Sequence, residues 1–164
     1  MMTPAEILAR GIEEELDRIR SLPAESARIA DLHDGLSKRA MASILQDFYN
    51  ACERVFHRVA ADLDGGVPEN GGWHRRLLAS MAAPAAGIRP AVISRELASA
   101  LDEYLGFRHV FRNIYGYELE GDRLERLAKD LPNTAQRVQD ALGVFLRWLR
   151  TTPGTVTDFP RGNR

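Results

Sequence analysis

The stretch Leu105-Gly106-Phe107-Arg108-His109-Val110-Phe111-Arg112-Asn113-Ile114-Tyr115-Gly116-Tyr117 gathers two arginines, a histidine, an asparagine and two tyrosines at the end of an apolar segment. On a helix, residues seven apart lie nearly above one another, so Arg108 and Tyr115 share a face and Arg112 stands close to it. Arginine presents a planar fork matched to phosphate, and tyrosine a phenol that can donate, stack on a base or accept a group. Pattern alone favours a plainer arrangement, in which the arginines sit in solvent and the tyrosines roof a core.

Two further sets have weaker chemical content. Tyr49, Glu53 and His57 are spaced four apart and form one ridge beside an apolar stripe. The plain reading is a rim ridge with Glu53 in a salt bridge; the functional one has Glu53 holding Arg108 or a neighbouring basic group in position. Trp73-His74-Arg75-Arg76 combines stacking and phosphate-contacting groups. More often such a tryptophan pins a short helix to its neighbours. His33, His57, His74 and His109 lack the paired spacing of a metal site, and no metal or other cofactor is expected. The single cysteine, Cys52, excludes an internal disulfide and reads as a buried thiol.

The elements that must carry these groups are helices. No proline lies between Pro23 and Pro68 or between Pro90 and Pro132, leaving room for long helices in both intervals. Thr3-Pro4-Ala5-Glu6 is a capping box opening a first helix, with Leu8, Ile12, Leu16 and Ile19 on one face and an end near Leu22. Met41, Ile44, Leu45, Phe48, Cys52, Val55, Phe56, Val59 and Leu63 keep core-facing spacing until Asp64-Gly65-Gly66 stops the second. A short helix carries Trp73, Leu77, Leu78 and Met81, and residues 82–91 read as a loop. A third long helix begins near Ser94 with Leu97, Leu101, Leu105 and Phe111. After Gly121, the Asp122-to-Glu125 capping box opens the last one, whose stripe runs from Leu124 to Leu149 across Pro132 as a kink or break.

The expected fold is all-α: an up-and-down bundle of four long helices plus a short one, filling residues 1–150, with a loose tail over 151–164. At 164 residues, 45% hydrophobic and 27% charged, the chain suits one domain, and a net charge of −1 restricts any nucleic-acid contact to a local patch. No secretory leader or bilayer-length apolar run is read, so a cytoplasmic location with no membrane contact is expected.

The segment from Arg108 to Tyr115 resembles the motif of HEPN-domain ribonucleases of the HepT-like branch: arginine, four residues, histidine, one residue, tyrosine. Arg108 matches the arginine, His109 the polar residue that commonly follows it, and Tyr115 the tyrosine. Asp47-Phe48-Tyr49, Glu53-Arg54-Val55-Phe56, Trp73-His74-Arg75-Arg76-Leu77-Leu78 with Met81, and Phe107 to Arg112 also resemble a HepT-like subgroup, in order and at similar spacing. The likeness covers most of the chain except the tail.

The resemblance implies a metal-independent endoribonuclease toxin, a homodimer with two motifs facing across a cleft, in which a ribose 2′-hydroxyl attacks the neighbouring phosphate. Arg108 would stabilise charge on the non-bridging oxygens and a histidine would move protons. It also implies an MntA-type nucleotidyltransferase antitoxin that attaches AMP to the motif tyrosine, here Tyr115, setting a phosphate beside Arg108. The sequence departs from the motif at Asn113, which stands where the histidine belongs and cannot act as an acid or base. Three outcomes remain open: His109 takes the role although it points about 100° away from Arg108 on a helix, Asn113 only positions substrate, or the module is inactive and binds nucleotide, RNA or the partner.

Overall fold

Five helices follow one another in the chain: α1 (Pro4–Ala27), α2 (Gly35–Leu63), α3 (Trp73–Met81), α4 (Arg95–Asn113) and α5 (Gly121–Thr151). The structure, a computed structural model, describes residues 1–113 and 121–152, with side chains given for 1–107 and 121–152. The expected up-and-down bundle of four long helices and a short one is what these residues form. Among them, β-type pairing is limited to one isolated bridge, between Ala85 and Arg89.

The helix starts follow local chemistry. Thr3 accepts from the Glu6 amide while the Glu6 carboxylate accepts from the Thr3 amide, closing the capping box. Those bonds hold the Glu6 carboxyl below its ordinary range. Asp34 caps α2 through the Ser37 amide, which lowers its carboxyl in the same way. Ser94 Oγ accepts from the Leu97 amide at the start of α4. At the far end of α2, Gly65 and Gly66 take φ of 81° and 153°, a turn that costs side-chain-bearing residues strain.

Three boundaries depart from the sequence reading. α1 runs past Leu22 to Ala27 with Pro23 inside it. An internal proline removes one backbone bond and costs about 3 kcal/mol, but the extra turn is packed: Leu22 and Ser26 are buried, and Ser26 Oγ lies 3.4 Å from Met41 Sδ on α2. Pro132 likewise sits within an uninterrupted α5. Asp122 lies inside the first turn of α5 rather than ahead of it, so it meets the helix dipole as a first-turn acid.

α2 is the central element, packed against all four other helices, and it buries thirteen residues from Met41 to Leu63. Cys52 is wholly enclosed there, and burial pushes its thiol up. α4 packs against α2, α3 and α5. Its buried face is therefore wider than a single stripe, adding Tyr104 and Phe107 to Leu97, Leu101 and Leu105. The Phe48 and Tyr104 rings meet edge-on at 5.1 Å, and the Tyr104 hydroxyl donates to the Leu127 carbonyl at 3.0 Å, tying α2, α4 and α5 at one level.

Where the chain turns from α3 into α4, Arg89 is sealed in. Its side chain is 2% exposed; Nε and Nη2 donate to the two Asp64 carboxylate oxygens at 2.7 and 2.8 Å, and the remaining donors reach the carbonyls of Ala83, Pro90 and Ser80. The Met81 carbonyl accepts from both Val92 and Ile93. These bonds hold the end of α2, the end of α3 and the approach to α4 together.

Candidate functional site

The last turns of α4 carry the motif. The helix is unbroken through Asn113, so Arg108, His109, Arg112 and Asn113 all stand within the last two turns at its C-terminal end. The conformations of these four side chains, and Tyr115 altogether, fall outside the described residues. The expected side-by-side projection of Arg108 and Tyr115 therefore stays an expectation. On the helix, Arg108 follows the buried Tyr104 by four residues and Leu101 by seven.

Before that end, along the middle of α4, the neighbouring helices bring polar groups. Glu53 on α2 reaches His74 at the start of α3, Oε2 to Nδ1 at 2.8 Å, and the two side chains are only 12% and 33% exposed. Trp73 stacks on the His74 ring with centroids 3.6 Å apart, and is itself half-buried against the core. Arg75 pairs with Asp102 on α4 at 3.1 Å. From α5, Arg123 Nη2 donates to the Glu103 carbonyl at 3.3 Å and Arg126 pairs with the Glu103 carboxylate at 3.4 Å. A surface hollow of about 600 Å³ opens there, lined by Gly121, Asp122, Arg123 and Arg126 among the described residues.

The supporting residues resolve unequally. Glu53 pairs with His74, the salt bridge of the plain reading. Tyr49 is not on a rim: it is fully buried in the core. Positions four apart advance by about 40° around a helix, so the ridge winds from the buried Tyr49 through the half-buried Glu53 to the exposed His57. The Trp73-to-Arg76 cluster is engaged within the chain itself, since Arg76 also donates to the carbonyls of Gly71 and Glu69. That is the pinned short helix rather than a free basic patch.

Gly106 also finds a local explanation. A Cβ there would come within 2.9 Å of Arg123 Nη2, so the missing side chain makes room for the guanidinium that bonds Glu103. Sequence spacing could not have joined Glu53 to His74, because the pair is 21 residues apart and meets only when α3 folds back on α2. Each residue was visible singly; the contact was not. Among the described residues no group of three or more histidine, cysteine or carboxylate side chains is placed to hold a metal ion. No helix among them is long and apolar enough to cross a membrane.

Compared with known families, residues 40–149 match the model of a family described as HepT-like protein. The match spans α2 to α5 and contains Glu53, His74 and all of α4. Comparison with curated proteins and with solved structures returned no match.

Proposed function

Because the chain belongs to the HepT-like family, we propose that this HEPN toxin-type module is a metal-independent endoribonuclease acting as a homodimer, with Arg108 as the group that stabilises the reacting phosphate. The observation that carries this reading is the arginine motif on the C-terminal end of an unbroken α4, inside the matched span. Two such helix ends, facing each other across a two-fold axis, would give a cleft lined by guanidinium groups. A fixed cation aimed at non-bridging oxygens stabilises the charge that develops as the 2′-oxygen attacks. Arg112 adds a second phosphate contact, Asn113 positions the ribose through its amide, and His109 is the motif's remaining proton carrier. Residues 1–150 form the domain and 151–164 a tail outside the chemistry.

Regulation follows from the same groups. A nucleotidyltransferase antitoxin of the MntA type transfers AMP to Tyr115, and the added phosphate occupies Arg108 and repels the RNA backbone. The protein works in the cytoplasm. Arg108→Ala is expected to abolish both RNA cleavage and growth inhibition on expression; full toxicity in that variant would remove the enzyme reading. Intact mass after incubation with the partner and ATP, followed by peptide mapping, tests Tyr115 as acceptor.

Asn113 supports a second reading, in which the module has lost cleavage and binds nucleotide, RNA or the partner. It predicts an inert parent and cleavage that emerges in Asn113→His.

A further inference from the structure

The motif lacks its acid–base histidine, and the fold supplies another one nearby. A carboxylate only accepts hydrogen bonds. The 2.8 Å contact with Glu53 therefore puts the proton of a neutral His74 on Nδ1 and leaves the Nε2 lone pair available. Among the described residues nothing hydrogen-bonds Nε2, and the ring keeps a third of its side-chain surface in solvent. Its orientation is fixed twice over, by Glu53 at one edge and by the stacked Trp73 on one face. A carboxylate holding one imidazole nitrogen so that the other can take a proton is a recurring device for activating hydroxyl nucleophiles.

The packing sets this imidazole on the helix that lies against α4, the element that carries the motif. α3 runs antiparallel to α4: Arg75 meets Asp102 at one end, and Met81 meets Val92 and Ile93 at the other. The first turn of α3 is thus level with Asp102 of α4. Arg108 stands six residues past Asp102, about 9 Å further along the axis, a distance that a long arginine side chain and one bound nucleotide together can span.

We infer that His74, oriented by Glu53, is the general base of the ribonuclease proposed above, performing the proton transfer that Asn113 cannot; the inference rests on that reading. His74 Nε2 takes the proton of the 2′-hydroxyl, and the 2′-oxygen forms a bond to phosphorus. The bond from phosphorus to the 5′-oxygen breaks, its electron pair stays on that oxygen, and a proton from His109 completes the leaving 5′-hydroxyl. A 2′,3′-cyclic phosphate remains on the other product. His74 then returns its proton to solvent and His109 regains one, so both histidines are reset.

The test uses the purified full-length chain and a labelled single-stranded RNA oligonucleotide. His74→Gln keeps an N–H for Glu53 but no base; it should lower the cleavage rate by about 10²-fold or more, with melting close to the parent. His74→Ala should be equally slow and regain activity when imidazole is added, which a merely structural role would not produce. Cleavage by His74→Gln within threefold of the parent, or a folded His74→Ala that imidazole leaves inactive, overturns the assignment while leaving the ribonuclease standing. A parent that leaves the RNA whole sinks the ribonuclease and this inference with it.

Discussion

Replacing Arg89 by methionine should cost the fold more than any substitution in the motif. The methionine keeps most of the volume but withdraws every donor from a closed site. Asp64, whose side chain is 18% exposed, loses both its bonds, and the carbonyls of Ser80, Ala83 and Pro90 lose a partner at once. Breaking one side of a buried ion pair costs about 3–5 kcal/mol. The residual wetting of Asp64 places this case near the lower end, about 3 kcal/mol. At roughly 2–4 °C per kcal/mol for a chain of this size, the midpoint should fall by about 6–12 °C. Urea denaturation followed by far-ultraviolet circular dichroism measures the loss directly. Arg89→Met combined with Asp64→Leu should recover much of it, because the stranded carboxylate is gone and its space is refilled with apolar surface. A single variant that loses under about 1 kcal/mol, or a double variant no better than the single, would refute the view that Asp64 is held desolvated by Arg89.

Other substitutions read the packing more locally. Gly106→Ala should be neutral or mildly stabilising, since the helix gains up to about 1 kcal/mol and the Cβ meets only the movable end of Arg123; sedimentation showing a broken dimer would instead place Gly106 at the subunit contact. Burial pushes the Tyr104 phenol up to about 12 from its ordinary 10. The unfolded chain thus ionises first, and this tyrosine's contribution, complete below pH 10, should fade as pH rises from 10 through 12; Tyr104→Phe should flatten that part of a stability–pH curve. Phe48→Ala empties a fully buried site against Tyr104 and should cost about 3–5 kcal/mol, read by the same urea titration.

Much of this fold is legible in the chain because the helices are long and strongly periodic. The α2 stripe from Met41 to Leu63, its Asp64-Gly65-Gly66 stop and the Thr3 capping box are local features, and each is found where the spacing places it. The errors arise where tertiary packing outweighs a local rule. Pro23 should end α1, yet Ser26 against Met41 keeps one more turn docked. Tyr49 looks like part of a rim because spacing of four was read as a straight ridge, and the 40° drift carries it into the core. In the candidate site, Arg108 is identified by its motif and Glu53 by its ridge, whereas the Glu53–His74 contact depends on the return of a nine-residue helix and has no short-range signature. Arg123 and Arg126 escape notice for the same reason: they reach Glu103 only through the crossing of α5 over α4.

The sealed sulfur of Cys52 makes the native surface blind to thiol reagents. A cysteine introduced at an exposed position such as Arg75 or Val144 would then take up a spin label or fluorophore alone, so distances across a dimer or toward a partner could be measured without first deleting the native residue. In the parent chain the same atom becomes a clock, because each reagent molecule it captures in dilute buffer marks one opening of the bundle around α2.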